Sequence, residues 1–278
     1  MSFAKKNSLK DAIISGKVSI IITNYKKELF LKKAILSCLN QSYKNIEIIV
    51  IDDCSDAEAS LGIVRSINSN KIRYIYTNRN YGHYACCNYA IDQSTGKYVT
   101  FLGGDDTMGR HHVKDLLAAL TKYKLAGVCS LYARYDESGR KIKEGVCEAS
   151  IFFEKNRLIK DIGYFHMVRC AADTEYRERA TKYYGANKFG VLKRNSYKAL
   201  YLPDSLTRNK RTGAGSQGRL EYTEQFRKNL KLSKPSNLHF DYKKCMLKFS
   251  LEKEIKVDNF DPKTFKEVEL QGAVGRCS

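Results

Sequence analysis

Ile46-Glu47-Ile48-Ile49-Val50-Ile51-Asp52-Asp53 is a nearly unbroken β-branched run that ends on a pair of carboxylates. Such a run suits a strand buried on both faces of a parallel sheet. A second run, Tyr98-Val99-Thr100-Phe101-Leu102-Gly103-Gly104, leads into a second pair, Asp105-Asp106. Open parallel sheets bind ligands beyond the carboxyl ends of their strands. Carboxylates crowded there repel one another unless a cation or hydrogen-bond donors offset the charge, which points to hard-metal or nucleotide binding. Asp also starts turns and caps helices, so either pair taken alone fits a solvated turn as well.

Around these runs the pattern alternates. Val18 to Thr23 reads as strand, and Leu31, Ala34, Ile35, Cys38 and Leu39 recur at helical spacing. Ile63 to Ile67 reads as helix, Ile72 to Tyr76 as strand, Tyr84 to Ile91 as helix, and Val113, Leu116, Leu117 and Leu120 as a further helix. Successive β-α repeats predict an open, largely parallel α/β sheet. After Gly127 the texture becomes α+β: Val128 to Tyr135, the turn Asp136-Glu137-Ser138-Gly139 and Lys141-Ile142 read as a hairpin, and Leu192 to Leu206 as a late strand and loop. Thr207 to Gly218 is basic and glycine-rich, the composition of a mobile loop suited to phosphate. Leu9, Ala12 and Ile13 share one side of a lead-in helix expected over residues 1–16. The lysine-rich stretch from Leu230 to Ser278 reads as an appendage of unassigned role.

The chain has 278 residues, 43% of them hydrophobic and only three Pro, so it can bury a full core and is not disordered. No apolar run approaches the ~20 residues that span a bilayer, and Met1-Ser2-Phe3-Ala4-Lys5-Lys6 lacks the apolar core of a signal peptide. A cytoplasmic location is the expectation. Nine scattered cysteines without a C-x-x-C pair read as reduced thiols, several of them core fillers. A net charge of +19 favours anionic partners: nucleic acid, an anionic membrane surface, or phosphorylated and acidic sugars.

Six stretches, in order, resemble the inverting GT-A glycosyltransferases of family 2. They are Val18-Ser19-Ile20-Ile21-Ile22-Thr23-Asn24-Tyr25, Ser37-Cys38-Leu39-Asn40-Gln41-Ser42-Tyr43, Ile48 to Asp56, Asn80-Tyr81-Gly82 with Thr95-Gly96-Lys97-Tyr98, Gly104-Asp105-Asp106, and Ala172-Asp173-Thr174-Glu175-Tyr176. The resemblance covers residues 17–215 and implies a Rossmann-like, mostly parallel sheet flanked by helices. Its nucleotide-binding half would span 17–126 and a mixed α+β acceptor half 127–229, followed by the appendage at 230–278.

By the same resemblance, Thr23, Tyr25 and Asp53 hold the nucleoside of a nucleoside-diphosphate sugar, with UDP favoured over GDP or dTDP. A carboxylate suits a base that presents N–H donors. Asp105 contacts ribose or metal, and Asp106 binds Mn2+ or Mg2+ that neutralises the diphosphate. Asp173 matches the general base, which a weakly acidic sugar hydroxyl requires; it also fits a helix start, with Glu175 and Arg179 supporting that helix. Arg208, Lys210 and Arg211 would close over the diphosphate as a lid. The acceptor would be a glycan or a lipid-linked sugar, with peripheral contact at an anionic membrane face.

Some family positions differ. The D-x-D-D form is Gly103-Gly104-Asp105-Asp106, and the Ala-Arg-Asn triplet is Cys86-Cys87-Asn88, which removes an arginine that Arg79 or His83 would have to replace. His111 and His112 read as helix-start surface, and His166 as structural. Competing classes are a basic nucleic-acid-binding protein, a nucleotidyltransferase and an inactive scaffold of the same fold. The first needs aromatic and basic residues interleaved on one sheet, which the sequence lacks, so no specific nucleic acid is expected. The second needs a glycine-rich loop after the first strand, where Thr23-Asn24-Tyr25-Lys26-Lys27 stands. Retained Asp173 argues against the third.

Overall fold

The computed structural model describes residues 2–3, 15–203, 205–244, 255–257 and 259–270. In chain order these form β1 (Ser2–Phe3), β2 (Val18–Asn24), α1 (Glu28–Leu39), β3 (Ile46–Asp53), α2 (Ala57–Ile67), β4 (Ile72–Thr77) and α3 (His83–Gln93). Next come β5 (Tyr98–Gly103), β6 (Thr107–Met108), α4 (His112–Lys122), β7 (Gly127–Tyr135), β8 (Lys141–Glu154) and α5 (Lys155–Ile162). The last are α6 (Ala172–Tyr184), β9 (Phe189–Leu200), α7 (Gln217–Leu232) and β10 (Phe265–Val268).

One sheet carries the strands in the order β1-β9-β7-β8-β5-β2-β3-β4-β10, with β6 paired to β9. Successive side chains of a strand point to opposite faces. Ile21, Ile49, Ile51 and Phe101 therefore pack toward α3 and α6, whereas Ile20, Ile22, Ile48 and Val50 pack toward α1 and α4. Every residue of β3 is buried, as its unbroken apolar run requires. On α1, Leu31, Ala34, Ile35 and Cys38 form the buried stripe that the spacing predicts.

β2 runs parallel to both β3 and β5, pairing Thr23 with Ile51 on one side and with Gly103 on the other. The chain leaves β2 in one direction for β3 and returns on its far side as β5. That reversal opens a crevice at the carboxyl ends of β2, β3 and β5, where neither adjoining helix covers the sheet. The acidic pairs lie at this end.

The hairpin at Asp136 is present, its carboxylate accepting from the N–H groups of Ser138 and Arg140. Its second strand, β8, continues to Glu154 and inserts antiparallel beside β5. Ser2 and Phe3 form a strand parallel to β9, so they are not helical; residues 4–14 of the expected lead-in helix lie outside the described residues. The described part of the stretch from Leu230 is integrated into the fold. β10 pairs antiparallel with β4, Phe240, Tyr242, Ile255 and Phe265 are buried in the α3–α6 core, and Arg73 holds Glu267 through two nitrogens at 2.6 and 2.8 Å. His112 is not surface. It is fully buried with Nδ1 2.7 Å from Ser196 Oγ, and burial pushes its pKa down to about 4. His111 is exposed beside Ser42, and His166 is structural, bonded to Tyr222 and paired with Glu175. Among the described residues no helix is long and apolar enough to cross a membrane.

Candidate active site

The crevice floor is built from side chains that fasten loops. Asp52 is fully buried, accepting from Asn24 Nδ2 at 2.9 Å and Ser55 N at 2.7 Å. Asp53 accepts from Tyr81 N at 2.7 Å, Gly82 N at 2.7 Å and Asn80 Nδ2 at 3.0 Å. Burial raises its pKa, an effect that these donors and nearby Arg169 oppose. The carboxylate expected to meet a nucleoside is therefore also the anchor of the Asn80–Gly82 turn. Arg169 clasps the same turn from the other side, NH1 to Asn80 Oδ1 at 2.6 Å and NH2 to Asn80 O at 3.0 Å. Arg169 thus brings a guanidinium to this turn, while Arg79 is exposed, lying 5.6 Å from the Tyr81 ring centroid.

At the end of β2, Thr23 Oγ1 lies 2.7 Å from His83 Nδ1, while Tyr25 stands 44% exposed at the crevice rim. Burial pushes the His83 pKa down, so its ring is neutral.

β5 ends at Gly103, and here the absence of a side chain matters. A Cβ at Gly103 would lie 3.0 Å from both Asp105 Oδ1 and Asp106 Oδ2, so the two carboxylates border one small space. Asp106 Oδ2 also accepts from the Tyr197 hydroxyl at 2.7 Å, and its Oδ1 from Leu200 N at 2.9 Å. Burial, then the Asp105 charge, push the Asp106 pKa well above the usual carboxylate range, against the pull of those donors and of Arg134. Among the described residues no group of three or more His, Cys, Asp or Glu converges. A pair of this kind fits a hard divalent cation that keeps waters and takes its remaining ligands from phosphate oxygens.

Arg134 and Arg208 both pack on Tyr201, at 5.7 and 4.9 Å from its centroid, immediately after the Leu200 amide that holds Asp106. Arg134 Nε is buried without a partner. Lys210 and Arg211 are exposed on a compact loop closed by its own bonds, Gly213 N to Asn209 O at 2.8 Å among them.

Asp173 occupies the first turn of α6, next to Ala172; the N-cap is Ala171, not Asp173. Its Oδ1 accepts from the Tyr84 hydroxyl at 2.8 Å and from Thr174 N at 2.9 Å. Tyr84 adjoins His83, and His83 touches Thr23, so one chain of contacts links α6 to the carboxyl end of β2. α6 is fixed from below by Arg179, buried and bonded to both oxygens of Glu175 at 2.8 and 3.0 Å and to the carbonyls of Ile162 and Tyr164. Sequence reasoning missed Tyr84, Arg134, Arg169 and Tyr197. Their partners are distant in the chain, 89 positions for Tyr84 and for Arg169 and 91 for Tyr197.

An uncharacterized glycosyltransferase of Haemophilus influenzae is 36% identical over 128 residues, covering 45% of this chain and 51% of that protein. The GalNAc(5)-diNAcBac-PP-undecaprenol beta-1,3-glucosyltransferase of Campylobacter jejuni is 36% identical over 96 residues, 33% of this chain and 30% of that one. The chain thus spans about half the length, or less, of these curated relatives. The structure of S. aureus TarS 1-349 in complex with UDP-GlcNAc superposes with a TM-score of 0.56 at 20% identity, covering 68% of this chain and 60% of that one, a likeness of fold. The family described as Glycosyl transferase family 2 matches residues 19–175, more than half of the chain, and the chain belongs to that family.

Proposed function

We propose that the protein transfers a sugar from a nucleoside-diphosphate sugar to a hydroxyl of a glycan or lipid-linked acceptor, inverting the anomeric centre. One observation carries this reading: Asp105 and Asp106 face a shared space at the carboxyl end of β5, and Asp173 is linked to the same end through Tyr84, His83 and Thr23. UDP is the favoured nucleotide, supported by structural neighbours solved with UDP and UDP-GlcNAc; GDP and dTDP are the alternatives.

Thr23, Tyr25 and the turn held by Asp53 and Arg169 receive the nucleoside. Asp105 and Asp106 would hold Mn2+ or Mg2+, which when bound neutralises charge on the diphosphate. Arg134 and Arg208, both packed on Tyr201, would add their guanidiniums to that neutralisation. Lys210 and Arg211 extend the basic loop over the leaving group, and Arg79 supports the turn from outside. Asp173 takes the acceptor proton as the acceptor oxygen attacks the anomeric carbon, opposite the departing diphosphate. The protein works from the cytoplasm at an anionic membrane face, where its +19 charge favours contact.

A thermal-shift titration with UDP, GDP, dTDP and CMP, each with and without Mn2+, tests the reading on wild type and Asp106→Ala. A metal-dependent rise with one nucleotide, weakened in the variant, is the expected result. No shift with any nucleotide, together with steeply salt-dependent binding to random oligonucleotides, would replace it with the nucleic-acid reading.

A further inference from the structure

The Tyr84 side chain is a buried ring whose one polar atom faces Asp173. The ring meets His83 edge-on, centroids 4.8 Å apart at 78°, and lies 5.7 Å from Phe165. Its hydroxyl and the Thr174 N–H donate to the same oxygen, Asp173 Oδ1, at 2.8 and 2.9 Å. Neither bond reaches Oδ2.

We propose that Tyr84 is a positioning residue for the general base: it fixes Oδ1 so that Oδ2 is the oxygen presented to the acceptor hydroxyl. The proposal rests on Asp173 being that base. In the step it serves, the acceptor proton passes to Oδ2 while the acceptor oxygen bonds to the anomeric carbon. The bond from that carbon to the diphosphate oxygen breaks, and its electron pair leaves with the nucleoside diphosphate. A carboxylate free to turn about its Cβ–Cγ bond offers either oxygen in many orientations; two donors on one oxygen remove that freedom.

The other groups facing Asp173 are His83 and Cys87 from α3, Cys129 from β7, Cys147 from β8, Cys170 before α6 and Tyr222 from α7. Burial holds the thiols and Tyr222 protonated and His83 neutral. Arg219 of α7 faces Tyr84 and favours its phenolate, but burial and Asp173 keep the phenol protonated. A Tyr84→Phe variant keeps the ring and deletes only the donor.

The test compares the full chain with Tyr84→Phe, using UDP-N-acetylglucosamine, Mn2+ and water as acceptor, and reads UDP release. Calorimetric titration with UDP runs alongside, to read donor binding apart from turnover. The expected result is a kcat lower by about ten- to a hundredfold with KM for the sugar nucleotide and UDP affinity both within about twofold. A kcat within about twofold of wild type overturns the proposal, and so does a UDP affinity that falls in step with turnover. A wild-type protein that neither binds UDP nor releases it overturns the donor reading on which the proposal rests.

Discussion

Tyr197, on β9, donates its hydroxyl hydrogen to Asp106 Oδ2 at 2.7 Å, so a strand from late in the chain holds the carboxylate that follows β5. Burial and Asp105 nevertheless leave the Asp106 pKa raised. A raised carboxylate favours folding below its unfolded value of about 3.9 and loses that contribution as pH rises through the folded value. In chelator-treated buffer, Asp106→Asn should therefore melt a few degrees above wild type at about pH 8, with the gap closing toward pH 4. The Tyr197 hydroxyl can turn to accept from the amide, which keeps the variant folded. Scanning fluorimetry across that range checks it, and equal melting at both ends would show that the acidic pair carries no net repulsion.

Gly103→Ala should leave the metal-free melting temperature within about two degrees, since Gly103 does not need a positive φ. The added methyl would lie 3.0 Å from an oxygen of each carboxylate, in the space a cation needs. The stabilisation that Mn2+ and UDP confer should then disappear, as read by the same melting experiment. A normal Mn2+ response would move the cation elsewhere.

Asp173→Asn should lower UDP-sugar turnover by about a thousandfold while nucleotide affinity stays within about twofold, because a general base acts in the chemical step and not in donor binding. Calorimetric titration with UDP beside a turnover assay separates the two. Loss of affinity along with activity would make Asp173 a structural residue.

Asp53→Ala removes the acceptor from the buried N–H of Tyr81 and the half-buried N–H of Gly82. Each unsatisfied donor costs about 1–3 kcal/mol, so urea unfolding should show a loss of about 3 kcal/mol without any ligand present. A loss under about 0.5 kcal/mol would mean that Asp53 acts on the nucleotide alone.

Phe265 lies 5.6 Å from the Tyr81 ring and 4.1 Å from that of Tyr89, stacked on both. Phe265→Ala should cost about 3 kcal/mol, the usual toll of emptying an aromatic site in a core. Because Tyr81 N–H binds Asp53, UDP affinity should weaken as well, by about threefold or more, in a calorimetric titration. Unchanged affinity would detach the C-terminal strand from the nucleotide turn.

The sheet core was legible because β2, β3 and β5 are largely apolar runs, and because α1, α3 and α4 carry broad buried faces, whereas α2 buries only Ser60 and Val64. α7 was not, since Gly218, Tyr222 and Phe226 are its buried residues within a heavily charged segment. β10 is a four-residue strand whose pairing with β4 no local pattern announces. At the site, the two acidic pairs could be read from their places at or just after strand ends, and Asp173 only from the family resemblance. Their supports could not: Tyr84 meets Asp173 across 89 positions, Arg169 meets Asn80 across 89, and Tyr197 meets Asp106 across 91. His112 misled for the same reason, its partner Ser196 lying 84 positions away.

β9 lies between β1 and β7, and β10 lies outside β4, yet both come after residue 175, where the family match stops. The portion of the chain by which its kinship is recognised is therefore not the portion that can stand by itself. A fragment cut at that boundary would leave Asp106 without Tyr197 and Leu200, and would leave the β4 edge open to pairing with other molecules. Grafting donor preference from one relative to another would accordingly have to carry the later strands with it. Ancestry and autonomy have different borders in this molecule.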